Sequence, residues 1–264
     1  EADDRETRRA VARAALPDWI RPLVVPPGEP RTKPRALNYA LDFCRADVVG
    51  ILDAEDRPDP RQLRDVAATF AAAGPRTAAV QCQLAYYNAA ENWLSRCFQI
   101  EYGIWFAVLL GGVRKLGLPI PLGGTSVYFR RSALIDAGGW DAHNVTEDAD
   151  LGMRLARLGR RVAVLASTTC EEPNCPPGPS TRQRSRWLKG YVLTWLSHMR
   201  APARLWRELG ARGFLGLNLL FLGAATAYLA MPVFWGLTLA WMLGASPAEA
   251  GLPGWAVWPS VASL

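Results

Sequence analysis

The apolar residues of the first 170 positions form short uninterrupted runs, separated by stretches with helical spacing. The runs at residues 48–52, 77–84 and 161–166 have the length of buried strands. The stretches at residues 33–44 and 59–74 repeat their apolar residues every three or four positions, which is typical of helices packed on a sheet. This alternation predicts an α/β domain with a mostly parallel sheet flanked by helices.

A longer stretch at residues 90–110 also has helical spacing. Its apolar stripe consists of Trp93, Cys97, Ile100, Ile104 and Val108. Charged and amide side chains interrupt the stretch too often for a membrane span. We therefore expect a helix that is either buried in the domain or lies at a membrane interface.

The last part of the chain has a different pattern, in which basic residues precede an uncharged apolar segment. The pattern predicts a cytoplasmic domain at residues 1–200, a basic interfacial linker at 201–212 and a transmembrane segment at 213–243. Residues 244–264 are expected to form a loop and the start of a second membrane segment. The basic flank favours the inner membrane with the domain facing the cytoplasm. The first residue, Glu1, is not a methionine and the chain ends in an apolar stretch, so we expect a piece of a longer protein.

The amino-acid composition and net charge exclude few classes of binding partner. The 264 residues carry a formal net charge of +6, which suits anionic ligands such as nucleotides or lipid headgroups. Nucleic acid is the least expected partner, because the basic residues cluster next to the apolar segment. The five cysteines are odd in number and lack a framework spacing, which indicates reduced thiols.

The run Val48–Leu52 ends at three carboxylates, Asp53, Glu55 and Asp56. Ligands of open α/β sheets bind beyond the carboxyl ends of the strands. Carboxylates at that place can share Mg²⁺ or Mn²⁺, which keeps open positions for phosphate oxygens. The sequence thus predicts a metal-bound phosphate at this edge of the sheet.

Other candidates stand at predicted helix starts. Asn144 and Glu147 have the spacing of a capping box, with Thr146 as the alternative cap. Asp148 falls in the first turn of that helix, where an ionised acid is favoured; it is either a dipole contact or a catalytic group. Lys33 precedes a Pro at another helix start, where it either binds phosphate or is solvated.

A basic, aromatic helix follows at residues 182–200, with Ser180 or Thr181 as its cap. One face combines an amide, a guanidinium and aromatic rings, namely Gln183, Arg186, Trp187 and Tyr191. The guanidinium suits a phosphate, and the indole suits the C–H face of a sugar.

Four segments in this order, KPRALNYAL, DAED, TED and QRSRW, resemble the family 2 glycosyltransferases. The closest likeness is to processive membrane synthases of the cellulose and hyaluronan synthase type. The resemblance implies a Rossmann-like GT-A fold, a nucleotide-diphosphate sugar donor such as a UDP-sugar, a glycan acceptor, contact with membrane lipid, and inversion at the anomeric carbon.

The resemblance also implies roles for individual residues. Asp148 becomes the catalytic base, and Asp53 and Glu55 become ligands of Mg²⁺ or Mn²⁺, with Glu55 standing where the family usually has Asp. Donor binding falls to Asp3, Lys33, Asn38, Asp53, Gln183 and Arg186. Acceptor binding falls to Trp187 and Glu147.

Two alternatives to sugar transfer fit the same sequence. One is a membrane-anchored module that binds a nucleotide or glycan without turnover. The other is a phosphohydrolase that uses the same metal. Position alone also leaves Asp3, with the neighbouring Asp4, as a solvated helix cap.

Overall fold

The computed structural model describes residues 2–244, and a five-stranded sheet forms its centre. The strands are β1 (Val48–Ile51), β2 (Arg57–Pro58), β3 (Thr77–Tyr86), β4 (Val127–Arg130) and β5 (Arg161–Glu171), in the order β1-β4-β3-β5-β2. β3 and β5 are parallel, whereas β4 is antiparallel to both β1 and β3, and β2 is antiparallel to β5. The α/β prediction is confirmed, but the sheet is mixed. Alternation along the chain predicts the type of each element, and it does not predict that β4 inserts between β1 and β3 in the opposite direction.

The helices cover both faces of this sheet. They are α1 (Arg5–Arg13), α2 (Lys33–Leu41), α3 (Gln62–Ala72), α4 (Trp93–Tyr102), α5 (Leu110–Lys115), α6 (Arg131–Asp136), α7 (Glu147–Arg157), α8 (Pro177–His198), α9 (Pro202–Leu217) and α10 (Ala224–Met242). A π-helical segment, Gly103–Leu109, joins α4 to α5, and a second one, Asn218–Gly223, joins α9 to α10.

Alternate residues of the strands face two separate apolar clusters. Val80 and Tyr128 pack with Phe70 of α3 on one face. Phe129 packs with Phe106 and with α7 on the other face. Burying residues 78–82 of β3 in this way provides a rigid support for the loops at the ends of the strands.

The C-terminal helices follow one another from Pro202 to Met242 with a break at Gly210, and by length and composition this stretch suffices to cross a bilayer. Gly210 bends them, with a φ of 67° that favours glycine. Leu205, Leu217 and Phe221 are fully buried against α7. The predicted linker is therefore helical, and the first part of the predicted membrane segment packs on the domain. The predicted boundaries themselves stay predictions, and residues 245–264 lie outside the described part of the chain.

The helix predicted at residues 90–110 forms as α4 and the π-helical segment, but its predicted stripe faces outward. Phe98 and Phe106, on the opposite face, enter the core. Ile100, Ile104 and Val108 are exposed. The helix therefore does pack in the domain, as one of the two alternatives has it, but through a second apolar face and not through the stripe.

Candidate active site

Lys33 connects three segments that lie far apart in the sequence. Its Nζ donates hydrogen bonds to a carboxylate oxygen of Asp53 and, at 2.9 Å, to the carbonyl oxygen of Gly124. Asp53 lies just beyond the end of β1, and Gly124 lies just before β4. Because β1 and β4 are antiparallel neighbours, these two positions meet at one edge of the sheet. Lys33, at the start of α2, lies across these two positions and binds both.

Thr125 and Asp56 fix the backbone that carries Asp53. The Asp53 N–H donates to Asp56 Oδ2 at 2.8 Å and lies 3.1 Å from Thr125 Oγ1. The Thr125 hydroxyl donates a short hydrogen bond to the same Asp56 oxygen. Asp56 Oδ1 is buried without a hydrogen-bond partner among the described residues, and burial raises the pKa of this carboxyl.

Asp148 lies on the other side of the Gly124 loop. A methyl group placed on Gly124 would come within 3.2 Å of Asp148 Oδ2, and Asp148 Oδ1 accepts the Ala149 N–H at 2.8 Å. Burial raises the pKa of Asp148 to about 7, the charge of Glu147 adds to this, and Lys33 opposes it. The expectation that the helix start keeps this acid ionised is therefore only partly met, because burial outweighs the first-turn contact.

The predicted capping box at the start of α7 does not form. Asn144 Oδ1 accepts the N–H of Thr146 at 3.0 Å, and Thr146 occupies the cap position without a side-chain cap bond. The Asn144 amide also donates to Thr194 of α8 at 2.8 Å. Because Asn144 Oδ1 accepts from Thr146 and not from the first turn of α7, Asn144 does not cap the helix.

Gly190 lets α8 approach this segment closely. A Cβ at position 190 would overlap the side chain of Thr146. Gln183, Trp187, Gly190 and Thr194 follow one another at helical spacing, so the predicted face of α8 continues from this contact along the cleft. Gln183 and Trp187 are half-buried there.

The two remaining residues of the predicted face, Tyr191 and Arg186, have different surroundings. Burial raises the pKa of Tyr191, and the charge of Asp148 contributes, which locates this ring near the predicted base. Arg186 is exposed and has no hydrogen bond or ion pair within residues 2–244. Its neighbour Arg184 turns away from the cleft and pairs with Glu101 of α4.

A buried cluster of charged groups holds α7 against α8. Asp150 accepts hydrogen bonds from Arg154 Nε at 2.7 Å and from His198 Nε2 at 3.0 Å. Arg157 lies 3.0 Å from His198 Nδ1. Because a guanidinium can only donate, Nδ1 accepts and Nε2 carries the proton. Burial alone would raise the pKa of Asp150, but His198 and Arg154 lower it below its ordinary value.

Other predicted site residues have different surroundings. Asp3 pairs with Arg31 at 2.6 Å, two residues before Lys33, while Asp4 is the residue that caps α1. The Asn38 amide donates to the carbonyl oxygen of Trp140 at 2.7 Å and accepts its N–H at 2.9 Å. Both polar ends of Asn38 thus hold the loop after α6. Glu55 is exposed, two residues beyond Asp53.

Three residues that the sequence did not single out belong to the same region. Thr125 lies in the glycine loop, and Gln81 is a fully buried amide in the apolar strand β3. Glu171 ends β5, and burial together with the charges of Asp56 and Asp53 raises its pKa to about 7. A polar residue inside an apolar strand was a usable signal for Gln81. Glu171 was hidden because β5 continues five residues past the predicted end at Ala166.

The acidic residues fit a hard divalent cation. Asp53, Glu55, Asp56 and Glu171 supply only oxygen atoms, which Mg²⁺ and Mn²⁺ prefer. Asp56 Oδ1 is buried without a partner, and neighbouring acids raise the pKa of Glu171, so the region carries uncompensated negative charge. Within residues 2–244 no three ligands already surround one point.

The comparisons with known proteins agree on one family. A family model described as "Glycosyl transferase family group 2" matches residues 48–247. Beta-monoglucosyldiacylglycerol synthase of Synechocystis sp. is 29% identical over 212 residues, covering 76% of this chain and 43% of that protein. Probable glucomannan 4-beta-mannosyltransferase 6 of Oryza sativa is 28% identical over 152 residues, covering 56% of this chain and 26% of that protein. The chain thus spans less than half the length of these relatives.

A solved structure is similar in fold. It is the mannosyltransferase PcManGT from Pyrobaculum calidifontis in complex with GDP-Man and Mn²⁺, with a TM-score of 0.54 and 23% identity. The likeness covers 89% of this chain and 61% of that one. It confirms the predicted GT-A fold, here with a mixed sheet and a C-terminal apolar helix.

Proposed function

The chain belongs to glycosyl transferase family group 2, and from this premise we propose that it transfers a sugar from a nucleotide-diphosphate sugar to a membrane-associated acceptor. The observation that carries the proposal is the convergence at Lys33. Its amine contacts Asp53 and Gly124, and its charge acts against the burial that raises the pKa of both Glu147 and Asp148. Acids separated by 95 positions in the sequence are thereby connected through Lys33 and the Gly124 loop.

In the proposed reaction Asp148 is the general base. It takes the proton of the acceptor hydroxyl while that oxygen attacks the anomeric carbon of the donor and the diphosphate leaves from the opposite side. A single in-line displacement of this kind inverts the anomeric configuration. A pKa of about 7 is well matched to a base that works near neutral pH.

The proposed donor site lies across the Gly124 loop from this base. Lys33 offers its positive charge to the diphosphate, and Arg186, exposed on α8, is available to a phosphate. Asp53 and Glu55 would hold Mg²⁺ or Mn²⁺, which would offset the negative charge of the leaving diphosphate. Asn38 supports the loop after α6, and Asp3 supports Arg31, so we assign both to indirect roles in donor binding.

The acceptor is proposed to lie along α8. Trp187 precedes Gly190 by one helical turn on the face that meets Thr146, and Glu147 follows Thr146 directly. An indole there can stack on a sugar ring. We propose a growing polysaccharide as acceptor, as in processive synthases. A lipid acceptor is the second candidate, because one relative is named for the synthesis of a glucosyldiacylglycerol.

We propose a UDP-sugar as donor and the cytoplasmic face of the inner membrane as location. The basic residues before the apolar helix support that orientation. The similar mannosyltransferase structure contains GDP-Man, so GDP-mannose is the informative competitor in a donor screen.

The test uses the protein reconstituted in lipid vesicles and a panel of labelled nucleotide sugars. Formation of a polymer, a glycolipid or a free sugar phosphate separates the synthase, the lipid glycosyltransferase and the phosphohydrolase. Asp148→Asn should lower transfer by roughly 10³-fold while donor binding persists. Asp65→Asn is the matched control, because Asp65 is also a first-turn acid, on α3 at the opposite face of the sheet.

Two results would contradict the proposal. Undiminished transfer by Asp148→Asn would remove the assigned base. Donor binding without any product, from every sugar in the panel, would instead favour the binding module without turnover.

A further inference from the structure

The helix formed by α4 and the π-helical segment is apolar on two opposite faces. Phe98 and Phe106 fill the core and are almost fully buried. The other face carries an outer stripe, defined here as Trp93, Cys97, Ile100, Ile104 and Val108. Trp93 is 70% exposed, Ile100 63%, Ile104 50% and Val108 65%.

The outer stripe is a continuous surface. Its members are separated by three or four residues, so they lie on one side of the helix over ~22 Å. Single exposed apolar residues are ordinary on protein surfaces, but a contiguous row of this length marks a contact with another apolar phase. None of these residues belongs to an apolar cluster in the described part of the chain.

Arg184 of α8 shows which surface the stripe adjoins. Its guanidinium pairs with Glu101 of α4, lies 4.4 Å over the ring of Phe98, and contacts the Tyr228 hydroxyl of α10 at 3.3 Å. Ile100 and Ile104 flank Glu101 on α4, and the 79% exposed Leu229 follows Tyr228 on α10. The outer stripe and the exposed part of the C-terminal helix therefore adjoin at one place.

We propose that the outer stripe lies in the interface of the lipid bilayer, as a second membrane contact of the domain beside the C-terminal helix. This inference rests on the proposed membrane location. An amphipathic helix with an aromatic side chain at one end is typical of interfacial binding, and Trp93 occupies that end. Arg114 and Lys115, exposed where α5 ends, suit anionic headgroups.

The contact has a consequence for the active site. On its inner face the helix reaches the glycine loop, because Phe106 lies against Gly123: a methyl group placed on Gly123 would come within 3.3 Å of its ring. Gly124, the next residue, binds Lys33. The bilayer surface and the catalytic loop thus touch opposite faces of one helix, and the bilayer contact fixes how far the cleft stands from the membrane. An acceptor anchored in the same membrane would then meet Asp148 at a defined depth.

Cys97 provides a native probe of this contact. It lies within the outer stripe and is exposed, whereas the other four cysteines are buried or partly buried. A thiol-reactive fluorophore is attached to Cys97 in the full protein, reconstituted in vesicles of phosphatidylcholine and phosphatidylglycerol. Quenching is measured with aqueous iodide and with nitroxide-labelled lipid. The control probe is at Leu63→Cys in a protein that also carries Cys97→Ser, because Leu63 is 67% exposed on α3, on the other face of the sheet.

We expect iodide to quench the Cys97 probe roughly threefold less than the Leu63→Cys probe, because an ion does not enter the hydrocarbon. Nitroxide lipid should quench the Cys97 probe and leave the control bright. Ile104→Asp should restore iodide quenching at Cys97, whereas Leu63→Asp should not change it.

Either of two results would overturn the inference. The first is equal quenching of both probes by iodide. The second is protection from iodide without quenching by nitroxide lipid, which would mean that a protein or a second copy of the chain covers the stripe. Sugar transfer is measured on the same vesicles, so a failure of the proposed function is seen separately from a failure of this contact.

Discussion

Replacing Gln81 with methionine should loosen the loop on which the proposed site is built. Gln81 is fully buried in β3, and its amide bridges this strand to the glycine loop before β4. Its Oε1 accepts the Gly123 N–H at 2.8 Å, and its Nε2 donates to the Thr125 carbonyl at 3.2 Å. Methionine has a similar volume and flexibility, so the change removes the hydrogen bonds without leaving a large cavity.

The loss of stability in Gln81→Met depends on which backbone groups the change leaves without a hydrogen bond. The Gly123 N–H and the Thr125 carbonyl both lose the partner described above, while the Ser126 carbonyl keeps the Cys82 N–H at 3.0 Å. An orphaned backbone group costs ~1–3 kcal/mol, less where water reaches it, and Gly123 is only half-buried. We therefore expect a loss of roughly 2–4 kcal/mol, which lowers the melting temperature by on the order of 10 °C in a chain of this size.

The same change should weaken donor binding, because Thr125 and the Gly124 carbonyl hold Asp53 and Lys33 in place. Thermal unfolding in detergent and equilibrium binding of labelled donor measure the two effects. Gln83→Met is the matched control, since Gln83 lies on the same strand and its side chain makes no hydrogen bond within the described residues. If Gln81→Met and Gln83→Met had the same melting temperature and donor affinity, the positioning role of Gln81 would be refuted.

Three further outcomes follow from the site. The pKa of about 7 for Asp148 means that kcat/KM should fall about tenfold per pH unit below 7 and level off above it, and a flat profile would exclude this base. Gly190→Ala should cost ~1–3 kcal/mol and reduce transfer, because it drives α8 from α7, whereas Gly112→Ala, in open space, should be neutral by the same assays. Asp150→Ala should cost roughly 3 kcal/mol, because it removes the acceptor of the buried His198 Nε2–H and the carboxylate partner of Arg154, and an unchanged melting temperature would contradict this.

The pH dependence of stability has a defined sign for Asp150. Its pKa is held below the ordinary value in the folded protein, so its contribution is complete above the unfolded pKa and is lost as the pH falls through the folded one. Asp150→Ala should accordingly destabilise the protein most near neutral pH and least in acid. Melting curves of both proteins across the acid range measure that difference.

The sequence predicted the elements well where the signal is local. The strands β1, β3 and β5 and the helices α2, α7 and α8 lie where the apolar spacing placed them, apart from the longer β3 and β5. It could not predict the position of β4 in the sheet, because strand order depends on contacts between distant segments. The capping prediction for α7 failed because the helix begins at Glu147, two residues later than a cap at Asn144 requires, and Asn144 Oδ1 accepts the Thr146 N–H instead.

The outer stripe of α4 shows a different limit of sequence reasoning. Periodicity identifies an apolar face, and it does not tell which of two faces enters the core when both are apolar. Phe98 and Phe106 are larger than Ile100 and Ile104, and they fill the space above the sheet. The smaller aliphatic residues stay on the surface of the domain, where we propose that the outer stripe contacts the lipid bilayer.

Lys33 shows why segments that are weak signals alone become one site in the folded chain. Asp53 ends a strand, Gly124 precedes the antiparallel neighbour of that strand, and Asp148 opens the helix behind the same loop. An amine at this junction can bind Asp53 and still oppose the burial that raises the pKa of Asp148 only because β4 stands next to β1. Had β4 paired at the other edge of the sheet, Gly124 would be separated from Asp53 by the width of several strands. The feature that the sequence could not predict, the insertion of β4, is therefore the one that assembles the proposed active site.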